Sequence, residues 1–340
     1  MFLQRSEALK AFQLVRESTR QNVSTVLWAS GALDSKGQIL EIPVDSATQR
    51  ITFTFSVDTK GGKLQLKQPS GQSVGEGSVQ TEDTELNCGR IVTVAPPAAG
   101  IWLAEITGSG TFWLEAEAQS DIYFIRAEFV KVGGRPGHEG LFRIHGQPLA
   151  GSPATLRASL TAAQTRTNEF SLVNQCGEMI QKLHMRAVNS DREFLEFTGS
   201  VDLPSVPFRV AVTGRDLHDK QYQRFFAPLF HAESVEVSPK LEFDEMPAGS
   251  TKQAVFAVRN LGPARTFKVT VTDARGFVTK AEPKDMALGA GQSGLVHVEL
   301  AVPARTPAGS GDDLVILAAS TSGAGTTNSS VVHLSVSGRP

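Results

Sequence analysis

Apolar and polar residues alternate with a period of two along most of this chain. Over residues 50–57, Ile51, Phe53, Phe55 and Val57 fall on one side and Thr52, Thr54 and Ser56 on the other. That is the mark of a strand with one buried and one wet face. Over residues 100–118 the alternation appears twice, broken at Gly108-Ser109-Gly110. Trp102, Ala104 and Ile106 share one side of the first run; Phe112, Leu114, Ala116 and Ala118 share one side of the second. The glycines between them predict a β-hairpin, and Gly61-Gly62 predicts another, leading from Val57 into Leu64 and Leu66. A helical stripe occurs only over residues 3–20, where Leu9, Phe12 and Val15 lie beside Glu7, Lys10, Arg16, Glu17 and Arg20.

Turn clusters divide the strand-like runs into three groups. Residues 21–131 hold about eight runs, enough for a closed two-sheet sandwich, jelly-roll-like and of the galactose-binding-like kind. Residues 72–83 read as a loop within it, and residues 132–137 as a linker after it. Residues 136–231 suit an immunoglobulin/fibronectin-like sandwich, with one of its strands over residues 179–187. Residues 232–340 predict a further immunoglobulin-like sandwich, without cysteines. The expected fold class is therefore all-β: three tandem antiparallel β-sandwich domains behind a short N-terminal helix. Rossmann and α/β-barrel architectures are excluded, because they need helices between the strands.

Composition narrows the function classes. At 340 residues the chain is too long for one ordinary core, and 40% hydrophobic with 20% charged residues is the balance of a folded protein. With 33 basic and 35 acidic residues the net charge is −2, and no basic run offers a surface to nucleic acid. No apolar run approaches the ~20 residues that span a bilayer. The first seven residues lack the apolar core of a signal peptide. Cys88 and Cys176 are too few for a disulfide framework or a metal cluster and read as unpaired thiols.

The reactive side chains make no constellation. The seven histidines, His138 and His145 among them, show no zinc-type spacing, so no metal is expected. His218-Asp219 looks like a base with its orienting carboxylate, but no nucleophile signature accompanies it. Asp312-Asp313 offers too few oxygen ligands for a calcium loop. No catalytic residue and no cofactor is expected. Asn22-Val23-Ser24 and Asn328-Ser329-Ser330 fit the N-glycosylation pattern, and Asn328, in a Gly/Thr/Ser turn, is the better candidate of the two. Among Trp28, Trp102, Trp113 and Tyr123, most read as core. Trp102, after the tight turn at Gly100, is expected to plug the sandwich end. Trp113, on the polar side of its run, is left as a possible ligand platform.

Several strings resemble a known family in their order. These are Ile42-Pro43-Val44-Asp45-Ser46, the run from Ile51 to Val57, Gln68-Pro69-Ser70-Gly71, Ala99-Gly100-Ile101-Trp102 and Asp121-Ile122-Tyr123-Phe124-Ile125-Arg126-Ala127-Glu128-Phe129. With Thr213-Gly214-Arg215-Asp216-Leu217-His218-Asp219-Lys220-Gln221-Tyr222-Gln223-Arg224, they are similar to the region following the A domain in the family of hemicentins and von Willebrand factor A domain-containing protein 7. The resemblance covers roughly residues 7–230 and rests on turn and packing residues. It implies a non-enzymatic extracellular chain, part of a longer protein, with adhesive or matrix-associated relatives. The helix over residues 3–20 would then be the last of an absent A domain. The Asp-x-Ser-x-Ser metal motif of A domains does not occur here, so metal-dependent adhesion does not carry over. The expected role is to space an A domain and present surfaces to extracellular or cell-surface proteins, without nucleic acid or a membrane span. The alternative is a carbohydrate-binding module built on aromatic residues of the first sandwich.

Overall fold

A computed structural model describes residues 16–338 apart from 18, 35, 75–79, 134–136, 138, 152, 162–164, 191–193, 242–244 and 322–324. The described residues form strands in the order β1 (Val23–Leu33), β2 (Gln38–Val44), β3 (Thr48–Val57), β4 (Lys63–Lys67), β5 (Gln80–Leu86) and β6 (Gly89–Ala95). There follow β7 (Gly100–Thr107), β8 (Gly110–Ser120), β9 (Phe124–Gly133), β10 (Gly140–Arg143), β11 (Ala154–Thr161), β12 (Thr165–Val173) and β13 (Met179–Leu183). Then come β14 (Arg186–Ser190), β15 (Phe194–Val201), β16 (Arg209–Asp216), β17 (Gln221–Phe225), β18 (Val235–Leu241), β19 (Glu245–Pro247) and β20 (Thr251–Asn260). The last are β21 (Arg265–Thr272), β22 (Val278–Glu282), β23 (Asp285–Leu288), β24 (Ser293–Ala301), β25 (Gly311–Ser320) and β26 (Thr327–Ser337). Of the helix expected over residues 3–20, residues 3–15 and 18 lie outside the described residues; only Arg16 and Glu17 are described as helical, and the helix is not shown.

Two compact units emerge. The first comprises residues up to 128 together with 155–230; the second comprises residues 129–154 and 231 onwards. In the first, a nine-stranded sheet runs β13-β12-β16-β17-β1-β8-β3-β6-β5 and faces a three-stranded sheet β2-β7-β4. Strands from both of the first two expected sandwiches are thus neighbours in one sheet, joined where Thr25 of β1 pairs with Phe225 of β17. The core under β3 and β8 is the predicted alternation: Ile51, Phe53, Phe55, Val57, Phe112, Leu114 and Ala116 are all buried, against Trp102, Ala104 and Ile106 from the other sheet. A second core lies between β12, β16 and the sheet that contains β11 and β15. It is aromatic, with Phe170 and Phe197 ring centroids 4.9 Å apart and Phe124 and Phe226 5.6 Å apart.

The two predicted hairpins are arches instead. β7 pairs with β2 and β4, whereas β8 pairs with β1 and β3, so Gly108-Ser109-Gly110 carries the chain from one sheet to the facing one. Gly61-Gly62 does the same between β3 and β4. The reason is burial: the apolar sides of both runs must face each other across a core, and a flat hairpin would put them on one surface. The arch is tight enough that a Cβ on Gly110, at φ 95°, would meet Asp58 Oδ1 at 2.1 Å. The loop expected over residues 72–83 gives way to β5 from Gln80, where Asp83 holds Arg90 of β6 through a pair of hydrogen bonds of 3.0 and 2.5 Å. The strand expected over residues 179–187 is two strands in different sheets, β13 and β14, with the switch at His184-Met185.

The second unit contains a four-stranded sheet β18-β20-β24-β22 and a five-stranded sheet β19-β26-β25-β21-β23. Alternate residues of each, including Phe256, Val258, Val296, Val298, Phe267, Leu314 and Ile316, form one buried core. The end of β9 and β10 belong to this unit, paired from Gly133↔Gly140 to Val130↔Arg143.

Candidate interaction surfaces

The strings that carry the family resemblance meet in the first unit. Asp45, just past β2, and Arg224 of β17 are both fully buried, with Arg224 Nη2 donating to Asp45 Oδ2 at 2.5 Å. Arg224 also donates Nε–H to the Ile122 carbonyl at 2.6 Å and Nη1–H to that of Gln223 at 2.7 Å. Asp45 Oδ1 accepts from Ser120 Oγ and from the Ala47 amide. One residue on, Ser46 donates both its hydroxyl (2.6 Å) and its amide (2.8 Å) to Asp216 at the end of β16. Burial alone would raise the Asp216 carboxyl; the Ser46 donors and the amides of Lys220 and His218 outweigh it and hold the group below its usual range. Sequence reading named these residues only within the strings that carry the resemblance. Their pairing was invisible because 170 or more positions separate the partners.

The wet side of the nine-stranded sheet is the second feature. Trp28 of β1 lies opposite Glu115 of β8, and Ser30 lies opposite Trp113. Trp28 and Trp113 are therefore diagonal neighbours on one face, both half-buried. Arg209 of β16 stacks on Trp28 at 4.5 Å. Trp102 takes no part: it is fully buried on the opposite side, against Phe53, and donates its indole N–H to the Ala98 carbonyl at 2.8 Å. Gly100 stands at φ 141°, and a Cβ there would lie 2.9 Å from Pro69. Burial, and then the charge of Glu117, push Glu115 up to about 7; the Thr25 hydroxyl at 3.5 Å and Arg209 pull the other way.

Farther along this face lies a groove of about 380 Å³. Its floor is apolar: Val173, Ala211 and Phe225 pack as a separate buried cluster. Met179 of the outermost strand β13 lines it and is 68% exposed. The turn between β12 and β13 closes on β1 so tightly that a Cβ on Gly177 would meet the Trp28 carbonyl at 1.7 Å.

The two glycosylation candidates part company. Asn22 is exposed, at φ 58°, just before β1. Asn328 is buried, and its amide is fully used: Nδ2 donates to the Gln147 carbonyl at 3.1 Å and the Val235 carbonyl at 3.0 Å, while Oδ1 accepts from the Gln147 amide at 2.8 Å and the Ser329 amide at 2.9 Å. A glycan on Nδ2 is incompatible with those bonds, which reverses the preference for Asn328. Beside it, buried Glu233 accepts from Thr326 Oγ1 at 2.6 Å and the Thr327 amide at 3.1 Å.

The remaining chemistry is dispersed. His218 and Asp219 sit in the turn closed by Asp216, with the His218 amide on Asp216 Oδ1 at 2.9 Å. His145 is exposed, and His138 lies outside the described residues. His333 Nδ1 lies 2.6 Å from Asp313 on an exposed surface. Cys88 and Cys176 are free thiols. Among the described residues, no group of three or more His, Cys, Asp or Glu side chains is placed to hold a metal ion, and no helix is long and apolar enough to cross a membrane.

Comparison with known proteins bears on the second unit. No curated protein matches the chain. Solved structures match at low similarity. The Bacillus licheniformis lipase BlEst2 in its propeptide form is 12% identical over 60% of this chain and 40% of its own, with a TM-score of 0.28. Escherichia coli alpha-2-macroglobulin activated by porcine elastase is 11% identical over 93% of this chain and 33% of its own, with a TM-score of 0.29. The full ectodomain of mouse nectin-like molecule 4 is 9% identical over 87% of this chain and 96% of its own, with a TM-score of 0.21. The chain thus spans 40% and 33% of the length of the first two, and likeness at these scores carries no argument about function. The family comparison is specific: residues 240–338 match the VWA7 Ig-like domain. Residues 240–338 of the second unit are therefore a VWA7 Ig-like domain.

Proposed function

We propose that the chain is a non-enzymatic extracellular module that spaces an A domain and presents the wet face of its nine-stranded sheet to protein partners. The observation that carries this reading is the groove on that face. An apolar floor of Val173, Ala211 and Phe225, with the exposed Met179 at an outermost strand, suits an extended or apolar segment of another protein. The Asp45–Arg224 and Ser46–Asp216 contacts support the spacing role, because they lock the β2–β3 turn to the β16–β17 hairpin. The VWA7 Ig-like domain in the second unit supports an interaction module in general.

The test is to export the full chain behind a heterologous signal sequence and measure its binding to immobilised matrix proteins and to cells. Saturable binding that Met179→Lys weakens, with unchanged thermal unfolding, supports the reading. Equal binding by wild type and Met179→Lys removes the groove from it. The second reading, carbohydrate binding, is favoured by one observation: Trp28 and Trp113 lie diagonally on one half-exposed face. A glycan-array signal abolished by Trp113→Ala would establish it in place of the first.

A further inference from the structure

At the end away from the groove, the outer side of the nine-stranded sheet is not wet. Val92 and Val94 of β6 point into the core with Phe53 and Phe55 of β3. Side chains alternate along a strand, so Ile91 and Thr93 of β6, with Thr52 and Ser56 of β3, point outward. All four are buried, Ile91 completely. Ile91 lies opposite Thr54, and Thr93 opposite Thr52, whose hydroxyl oxygens are 3.0 Å apart. A fully buried isoleucine on the outer side of a sheet requires an apolar cover, because open water would leave it exposed.

The first described residues of the chain lie at the margin of this patch. Glu17 is buried and accepts from Arg16 Nε at 3.0 Å and Arg20 Nε at 2.8 Å, with Arg50 Nε of β3 at 3.7 Å. Glu17 and Arg20 line one small cleft with Thr52, Glu117 and Gln119. Arg16 also donates to Glu82 of β5, the last strand of the sheet. The chain before Arg16 therefore begins against the β5 edge. At ~1.5 Å per residue a helix over residues 3–15 is about 20 Å long. The four intervals β5-β6-β3-β8-β1, at ~4.8 Å each, make about 19 Å. Charge agrees as well as length: residues 3–15 carry Arg5 and Lys10 against Glu7 alone, and β8 turns Glu115 and Glu117 toward the same face.

We propose that this patch is the docking site of the chain's own residues 3–15, which lie outside the described residues and would seat Leu9, Phe12 and Val15 over Ile91 and its neighbours. The segment crosses the face from β5 toward β1, and the Arg16–Glu17–Arg20–Arg50 cluster fixes the point at which it arrives. The outer face is thereby divided. Its β3–β6 end is closed by the chain itself, and the end with Val173, Ala211 and Phe225 stays open.

The experiment is thiol labelling of the full chain carrying Ile91→Cys, with Cys88→Ser and Cys176→Ser to silence the native thiols. With residues 3–15 unaltered, the new thiol is expected to react slowly with iodoacetamide. Adding Leu9→Asp and Phe12→Asp is expected to speed it at least about tenfold, the factor that losing one buried apolar side chain corresponds to. Circular dichroism checks that the sheets persist. Fast labelling with the segment unaltered would overturn the proposal, since nothing then covers Ile91. Slow labelling in both proteins would overturn it too, by giving the cover to something else. If the doubly substituted chain fails to fold, a second measurement decides: Phe12→Cys and Thr54→Cys, in the same background, are expected to be joined within one chain by a short bismaleimide. No cross-link, or a cross-linked dimer alone, would overturn the proposal, the latter by assigning the patch to a second copy.

Discussion

Arg224 is the residue on which the first unit turns. It has no solvent exposure, and three acceptors converge on it: Asp45, the Ile122 carbonyl and the Gln223 carbonyl. Removing one member of a buried ion pair leaves the other charged and unpaired, at a cost of about 3–5 kcal/mol. Arg224→Met is expected to lower the stability of the first unit by that amount in denaturant unfolding, and Arg224→Met with Asp45→Leu to recover part of it. The asparagines make the other prediction at this scale. With the chain passed through a secretory pathway, a glycosidase-sensitive mass shift is expected to vanish in Asn22→Gln and to persist in Asn328→Gln. The second variant should instead unfold more easily, by ~1–3 kcal/mol for buried partners left unsatisfied. Neither role was legible in sequence. A three-residue sequon says nothing about whether its amide is free, and only the approach of Gln147 and Val235 decides that.

Among the elements, β8 shows most plainly how a strand carries two tasks. Its inward residues Phe112, Leu114, Ala116 and Ala118 are buried as alternation predicts, while Trp113, Glu115 and Glu117 line the other face. Burial raises both glutamates, and Glu115 reaches about 7. Because the folded value lies above the unfolded one, the proton is bound more tightly in the folded state. The associated stability is complete below the ordinary carboxylate range and is lost as pH rises through about 7. The unfolding midpoint of the first unit is therefore expected to fall across that interval in wild type, and Glu115→Gln is expected to remove this part of the slope. Alternation along β8 was readable from its residues; its partner was not. The run before it looked like a hairpin mate, yet β8 binds β1 and β3 because only the facing sheet lets Trp102, Ala104 and Ile106 meet Phe112 and Leu114.

At the scale of the whole molecule, the division of the first 231 residues changes what can stand alone. Strand counting suggested separable sandwiches over residues 21–131 and 136–231, yet the nine-stranded sheet draws on both. A piece comprising residues 21–131 would expose the β1 edge that β17 covers and leave Asp45 without its guanidinium. Such a piece is expected to melt lower than one comprising residues 21–230, or to aggregate, as followed by circular dichroism and gel filtration. Equal melting of the two would show that the shared sheet adds no stability. The VWA7 Ig-like domain differs in this respect: its core of alternating residues from both sheets lies wholly within the second unit.

By itself the sequence determined the all-β class, the inward faces of the strands, and the absence of any recognisable catalytic motif. Period-two alternation and turn chemistry are local properties, written in residues a few positions apart. Which strands became neighbours, which asparagine kept its amide free, and which carboxylates took up backbone amides was settled only by tertiary structure. Each of those outcomes depends on contacts between residues far apart in the chain, such as Ser46 with Asp216, Gln147 with Asn328 and Ala274 with Asp312. Local sequence holds no record of the burial that makes such contacts strong.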